Sequence, residues 1–172
     1  SVSPVFAYAA SGAHATLLQS WLAAVGFTLQ IYFDFSGYSD MACGAALLFG
    51  IRLPINFDSP LKATSIVDFW LRWHITLTRF LTAYVYNPMA LSLTRARAAK
   101  RLPMLKARDS HPLAFLHVLA FPTIATMVLS GVWHGAGYTF VLWGLLHGLY
   151  LVVNHLWRQY GPRPAARDAG GE

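Results

Sequence analysis

One histidine, His134, stands beside a tryptophan and two nearby glycines in the stretch SGVWHGAGYTF, within a long apolar region. Imidazole titrates near pH 6.5, so it can take up and return a proton at neutral pH, as a general base that activates a hydroxyl group must. Gly135 removes side-chain bulk beside the ring and leaves room for a substrate, while Trp133 would shield the site from water. The pattern indicates proton-transfer chemistry at His134.

A second candidate, His74, lies in DFWLRWHITLTRFL. On a helical wheel it falls on the apolar side, opposite a polar stripe formed by Ser65, Asp68, Arg72, Thr76 and Arg79. Asp68 and Arg72 are spaced i, i+4 and can pair. Such a stripe suits a helix at a membrane interface as well as a functional groove, and His74 can equally be a hydrogen-bonded structural residue.

Two acidic residues, Asp34 and Asp40, occur in the apolar stretch YFDFSGYSD. A carboxylate at mid-membrane costs about 2.5–3.5 kcal/mol, so it is normally paired, solvated in a cavity or kept for function. Arg52 and Arg72 are candidate partners by charge, and a structural pair that fixes helix packing is as well supported as a functional one. No two histidines show the i, i+4 spacing of a helical metal pair, and His-Glu-x-x-His is absent, so no metal site is predicted.

The composition predicts which kind of protein must position these residues. Hydrophobic residues make up 56% of the 172 residues and charged residues only 12%, against roughly 25% charged in an average soluble domain. Apolar segments at 14–33, 113–131 and 138–157 have about the 20 residues needed to cross ~30 Å of hydrocarbon. We therefore expect an all-α, polytopic membrane protein.

Shorter segments lie between these predicted spans. Residues 38–50 would be only about 20 Å long as a helix, which favours a re-entrant membrane segment. Ser65 three residues before Asp68 resembles a capping box and predicts an interfacial amphipathic helix over 65–84. A helical core is thus expected over 1–157, followed by a tail, 158–172, too polar to order itself.

The net charge of +6 does not indicate a nucleic-acid partner, because the basic residues flank apolar segments. Short loops rich in Lys and Arg stay in the cytoplasm, so the basic loop 92–110 and the end of the chain are predicted to lie inside. His134 then lies at, or somewhat below, the outer side of the membrane. The partner predicted from composition is membrane lipid, and no nucleic acid is expected.

Three separated motifs, in order, make the chain recognisable: YFDFSGYSDMACGAALLFGIRLPINFDSP, DFWLRWHITLTRFL and LSGVWHGAGYTFVLWGLLHGLYL. Together they resemble the membrane-bound O-acyltransferase family, in the bacterial branch that acts in alginate O-acetylation and in D-alanyl transfer to teichoic acids. The resemblance runs from about Trp21 to Trp157. It implies that the chain is the C-terminal part of a larger membrane enzyme.

The resemblance also implies roles for particular residues. The family's near-invariant histidine falls on His134 and its second histidine on His74, which would make both of them catalytic. Trp133, Gly135 and Trp70 would bind substrate, and Arg72 and Arg79 would attract an anionic donor, whereas Asp34, Asp40 and Asp68 would organise the structure. One departure concerns YVYNPMALSLTRARAAKR, which replaces the Ile-Pro-Leu-Gly-Gly-like stretch usual in alginate-type relatives. The acceptor or partner surface is therefore expected to differ.

In relatives of this family the two histidines lie along a tunnel or funnel through a helical core, which an acyl thioester approaches from the cytoplasm and the acceptor from the other face. The resemblance thus implies an O-acetyltransferase, multi-pass in the bacterial inner (cytoplasmic) membrane, with no bound cofactor. Its donor would be acetyl-CoA or a carrier-linked acyl group, and its acceptor an exported or envelope polysaccharide, such as alginate, or a periplasmic acyl-accepting partner protein. A transporter, which also uses intramembrane Asp, Arg and His, and a non-catalytic scaffold subunit are the alternatives.

Overall fold

The computed structural model describes residues 15–162, together with the isolated residues Ala7 and Ser11. Every regular element in the described part is a helix, which confirms the predicted all-α class. The chain divides into two units, Ser1–Asp58 and Ser59–Glu172, and each is described by itself. The first residue of the predicted span 14–33 and residues 163–172 of the predicted tail lie outside the described residues.

The first unit is built on one long helix, α1 (Leu17–Leu48). It begins with a reciprocal capping box, in which the Thr16 hydroxyl accepts from the Gln19 amide and the Gln19 side chain accepts from the Thr16 amide. It ends at Leu48, and the φ of +74° at Gly50 allows the amides of residues 50 and 51 to bond back to the last turn.

Helix α1 differs from the prediction of a span followed by a separate re-entrant segment at 38–50. Both segments belong to the same 32-residue helix. Residues 41–48, MACGAALL, contain several strong helix formers and no proline, so the helix continues past Gly37 up to Leu48.

The second unit begins with a 3-10 turn, Pro60–Lys62, and two short helices, α2 (Ile66–Arg72) and α3 (Ile75–Leu81). The predicted N-cap is confirmed, since the Ser65 hydroxyl accepts from the Asp68 amide at 3.1 Å. The single helix predicted over 65–84 is wrong, because the chain breaks at Trp73 and His74. We attribute the break to ring contacts that a helical wheel does not show: Trp73 stacks on Phe69, and His74 contacts the ring of Trp133.

Two π-helical turns follow, each directly before an X-Pro pair. The turn Thr82–Tyr86 connects α3 to α4 (Asn87–Ala99), and the turn Leu116–Ala120 connects α5 (Pro112–Phe115) to α6 (Phe121–His134). Proline cannot donate an amide hydrogen bond, and its ring clashes with the carbonyl four residues earlier. One wider turn before Pro88 and Pro122 lets the helices continue past them.

The basic segment 92–110, predicted to be a loop, is partly helical, because helix α4 extends into it. Residues 92–99 are helical, because Leu, Ala and Arg favour a helix and neither Gly nor Pro interrupts them. The last helix, α7 (Tyr138–Tyr160), likewise extends into the predicted tail 158–172.

Helices α6 and α7 form a tightly packed antiparallel hairpin. A methyl group on Gly144 would overlap the Met127 carbonyl, and one on Gly148 would lie 3.1 Å from the Ile124 Cα. Small residues that let helix backbones approach closely are typical of membrane helix pairs. Among the described residues, two helical stretches are long and apolar enough to cross a membrane, Pro112–His134 and Tyr138–Tyr160, in agreement with the second and third predicted spans. Both stretches are candidate membrane spans by their length and composition.

Candidate active site

His134 is the last residue of α6, and the chain turns at Gly135 into the approach to α7. A Cβ on Gly135 would lie 2.6 Å from Cδ2 of Phe140 and would overlap that ring further along. The expectation that Gly135 leaves room for a substrate therefore needs correction. The space beside this glycine is filled by Phe140, and its small size lets the turn close.

His74 lies in the break between α2 and α3, in a left-handed conformation with φ 45° and ψ 54°. That conformation costs an L-residue on the order of 1–2 kcal/mol, and such strain is concentrated at functional sites. The His74 ring lies 6.0 Å from the ring of Trp133, which in turn lies 4.8 Å from His134. Trp133 therefore contacts both imidazoles that the sequence singled out.

Both histidines line one cavity of about 300 Å³ in the second unit. Starting from each histidine, polar residues recur along the sequence at intervals of three or four residues. Residues at this spacing lie on the same face of a helix. The first row is His74, Thr78, Thr82 and Tyr86, and the second is His134, Ser130, Thr126 and Thr123. Leucine, methionine and tryptophan side chains make up much of the remaining wall. His155 of α7 also lines the cavity, which is thus mostly apolar with two polar rows and a third histidine.

At the other end of the two polar rows, Tyr86 and Thr123 share a side-chain hydrogen bond. Burial is the larger influence on Tyr86 and raises the pKa of its phenol, while the bond to Thr123 acts in the opposite direction. Tyr86 is therefore protonated at neutral pH. Thr123 to His134 spans eleven residues, which puts this end about 16 Å along the helix from the histidine.

The solvent accessibility of the second row changes along α6. Ser130, Thr126 and Thr123 are 2%, 7% and 7% exposed, whereas His134 is exposed at the mouth of the cavity. The Thr126 hydroxyl and the Trp70 indole nitrogen are buried without a hydrogen-bond partner in the described part of the chain. Buried polar atoms are normally satisfied, so the wall holds unused hydrogen-bonding capacity.

A second aromatic residue, Trp143 on α7, also contacts the ring of His134. Its ring lies 5.4 Å from His134 in an edge-on arrangement, 5.7 Å from Trp70 and 4.6 Å from His147. Edge-to-face aromatic pairs contribute about 0.5–1.5 kcal/mol each beyond buried area. The His134 ring is therefore held between Trp133 and Trp143.

The surroundings of His74 favour its neutral form. Burial, and after it the nearby charge of His134, lowers the pKa of His74 below its ordinary value. The ring is neutral at physiological pH and can accept a proton or a hydrogen bond. A neutral imidazole beside a second one is suited to passing or accepting protons at a shared substrate.

The predicted charged residues are not all brought to this cavity. Arg72 donates to Asp68 at 2.8 Å, and this pairing holds the pKa of Asp68 below its ordinary value. Neither Arg72 nor Arg79 is among the residues lining the cavity within 59–162. Asp34 and Asp40 lie on α1 of the first unit with exposed side chains. Within the described ranges, no three His, Cys, Asp or Glu side chains are grouped as a metal site.

Comparison with known proteins identifies the family. The sequence pattern of the membrane-bound O-acyltransferase family matches residues 6–102, more than half of the chain. The chain belongs to the membrane-bound O-acyltransferase family. The matched region includes His74 and ends before His134. The Trp-His-Gly motif around His134 therefore lies outside the matched region.

Several relatives within the family cover most of the chain. It is 45% identical over 139 residues, 81% of its length, to the peptidoglycan O-acetyltransferase of Helicobacter pylori. It is 37% identical over 158 residues, 92% of its length, to the probable alginate O-acetylase AlgI of Azotobacter vinelandii. It is 30% identical over 131 residues, 76% of its length, to the teichoic acid D-alanyltransferase of Streptococcus thermophilus. The chain spans 23%, 28% and 28% of these relatives, about a quarter of their length.

Sequence reasoning missed most of the polar lining of the cavity, although it singled out His74, His134 and Trp70, which all line it. The signal was present, since hydroxyl residues follow His74 at every fourth position up to residue 86 and precede His134 at residues 130 and 126. Trp143 carried no such signal, because its role depends on how closely α6 and α7 pack.

Proposed function

We propose that the cavity headed by His74 and His134 belongs to the reaction centre of a bacterial membrane O-acyltransferase. The reaction would move an acyl group, in particular acetyl, from a thioester to hydroxyl groups of an exported or cell-envelope polysaccharide. The observation that carries the proposal is that both histidines line one cavity and that both of their rings contact Trp133. Family membership supports acyl transfer as the reaction class.

The proposed chemistry assigns the proton to His134. Its imidazole takes the proton of the acceptor hydroxyl as the oxygen attacks the thioester carbonyl, so that a carbon–oxygen bond forms. The tetrahedral intermediate then expels the thiolate by breaking the carbon–sulfur bond, and His134 returns its proton to the sulfur. Polar hydrogens nearby stabilise the negative oxygen of the intermediate. Positioned general bases contribute about 100- to 10,000-fold to such rates.

His74 is proposed to position the donor or acceptor at this centre. Its neutral ring is held at a strained backbone position that an ordinary packing residue would avoid. Trp133 and Trp143 fix the His134 ring, and Trp70 forms part of the cavity wall. Pre-positioning of this kind lowers the entropic cost of bringing the reacting groups together.

The two polar rows are suited to a long donor. A thioester arm of acetyl-CoA or of an acyl carrier is extended and carries amide groups, which the hydroxyls of Thr78, Ser130 and Thr126 would hydrogen-bond. The rows run about 16 Å from the histidines. No resident cofactor is needed, because the thioester itself carries the activated acyl group.

The acceptor and location are proposed from the relatives and the charge pattern. The relatives are named for transfer to peptidoglycan, alginate and teichoic acid, three polymers outside the cytoplasm. We therefore propose an envelope or exported polysaccharide, or a protein that passes acyl groups to one, as the acceptor. The basic segments flanking the two candidate spans support a multi-pass protein of the inner membrane with those segments inside.

The proposal is tested in cells that lack the gene and are complemented with variants of the full-length protein. Ester content of the envelope polysaccharide is measured for wild type, His134→Gln and His111→Asn. His111 is exposed and its ring accepts from the Leu113 amide, a role that asparagine can keep. We expect esters to disappear only with His134→Gln. Full ester content with His134→Gln would favour a scaffold subunit, and polymer or acyl transport persisting without ester formation would favour a transporter.

A further inference from the structure

The described second unit concentrates basic side chains at the end of the hairpin opposite His134. Between residues 95 and 162 the chain has seven Lys and Arg residues but a single acidic one, Asp109. One of the seven, Arg97, is buried. The remaining cationic group, here named the basic end, consists of Arg95, Lys100, Arg101, Lys106, Arg108 and Arg158.

Arg97 ties the end of α4 to the start of the first candidate span. It is 6% exposed, and its guanidinium donates to the Pro103 carbonyl at 2.6 and 2.9 Å and to the Leu113 carbonyl at 3.3 Å. It also contacts Nδ1 of His117 at 3.1 Å. This arginine fixes the segment after α4 against the membrane helix.

Ser110 ties the other end of the same segment to the end of α7. It is 3% exposed, its hydroxyl lies 2.7 Å from the side-chain amide of Gln159, and its carbonyl accepts from the Tyr160 hydroxyl at 2.8 Å. Arg108 donates to the Gly161 carbonyl. The basic end is thus held beside residues 112 and 160, where one candidate span begins and the other ends.

Exposed aromatic residues near the end of α7 support placing the basic end at the level of lipid headgroups. Trp157 and Tyr160, 66% and 43% exposed, lie at the same end of α7, and amphipathic aromatic rings are enriched at membrane–water interfaces.

We infer that the basic end is a docking surface for phosphate-bearing anionic headgroups of the surrounding bilayer. Six cations near two span ends, with one nearby carboxylate, complement such headgroups in charge and in depth. This inference goes beyond acyl transfer and does not depend on it. Each Lys or Arg near an anionic membrane surface strengthens binding about fivefold.

The test measures lipid binding to the detergent-solubilised full-length protein. Tail-labelled phosphatidylglycerol and phosphatidylcholine are titrated against wild type, Lys100→Gln/Lys106→Gln, and the matched control Arg52→Gln/Lys62→Gln. We expect phosphatidylglycerol to bind more tightly, the first double variant to lose roughly 25-fold in affinity, and the control to match wild type. Equal binding of the two lipids, or no loss in the first variant, overturns the inference.

Two additions keep the experiment decisive. Arg158→Gln, expected to lose about fivefold, replaces the double variant if circular dichroism shows that the latter has lost helix. Coenzyme A is tested as a competitor at equal phosphate concentration. If it displaces phosphatidylglycerol, the surface binds a soluble polyphosphate instead, and the lipid assignment is overturned. Acyl transfer is not measured, so failure here leaves the proposed function untouched.

Discussion

Substituting Gly144 by alanine tests whether the close packing of α6 and α7 positions His134. A Cβ at this position would overlap the Met127 carbonyl oxygen and lie 2.9 Å from the Val128 Cα. Ordinary contact begins near 3.4 Å, so the backbones must separate by about half an ångström or more. The obstacle is backbone, which cannot swing aside as a flexible side chain would.

The expected size of the effect follows from two opposing contributions. Alanine in place of glycine inside a helix stabilises by about 1 kcal/mol, whereas forcing extra volume into a packed contact costs about 1–3 kcal/mol. The net result is a loss of up to roughly 2 kcal/mol. Since a 1 Å misplacement of catalytic groups costs about 100-fold in rate, we expect acyl transfer to fall by roughly 10- to 100-fold.

The assay combines thermal unfolding of the full-length protein in detergent with acyl-transfer rates. Gly37→Ala is the matched control, because this helical glycine has no heavy atom within 4 Å of the added Cβ. The control is expected to be as stable as wild type or more so, with an unchanged rate. If Gly144→Ala unfolds at the same temperature as Gly37→Ala and transfers acyl groups as fast, close packing does not position His134.

Three further predictions address individual contacts. His74→Asn keeps a residue that tolerates the left-handed backbone, so circular dichroism should show unchanged helix content while acyl transfer falls at least about 100-fold; a rate near wild type would remove His74 from the site. Arg97→Lys loses the forked contact to Pro103, and denaturant unfolding should report a loss of about 1.5–3 kcal/mol; equal stability would contradict its structural role. Arg72 lowers the pKa of Asp68. The Asp68–Arg72 pair therefore contributes fully to stability above the ordinary carboxyl pKa, and this contribution is lost as the pH falls through the lowered pKa of Asp68. Asp68→Asn should remove that part of the acid dependence, and an unchanged pH profile of unfolding would refute it.

Much of the site could be anticipated because its two histidines stand out by residue type. A titratable histidine is conspicuous within a run of apolar residues. The capping serine at 65 and the two candidate spans follow from local sequence patterns. The resemblance of three motifs then connected His74 with His134. These features depend on residues close together in sequence.

The remaining features depend on contacts between distant residues. The break at His74 goes with ring contacts to Trp133, 59 positions away, and periodicity alone favoured an unbroken helix. The room beside Gly135 is taken by Phe140, which only the folded turn reveals. Likewise, Arg97 reads as one more solvated cation until its carbonyl partners are known.

The most direct test is the rate at which purified full-length protein transfers labelled acetyl from a thioester to isolated envelope polysaccharide, with His134→Gln compared with wild type and His111→Asn. We expect glutamine, which cannot take up the hydroxyl proton, to slow ester formation by at least about 100-fold, while His111→Asn keeps the wild-type rate. Ester formation by His134→Gln at the wild-type rate would contradict the assignment of His134 as the general base.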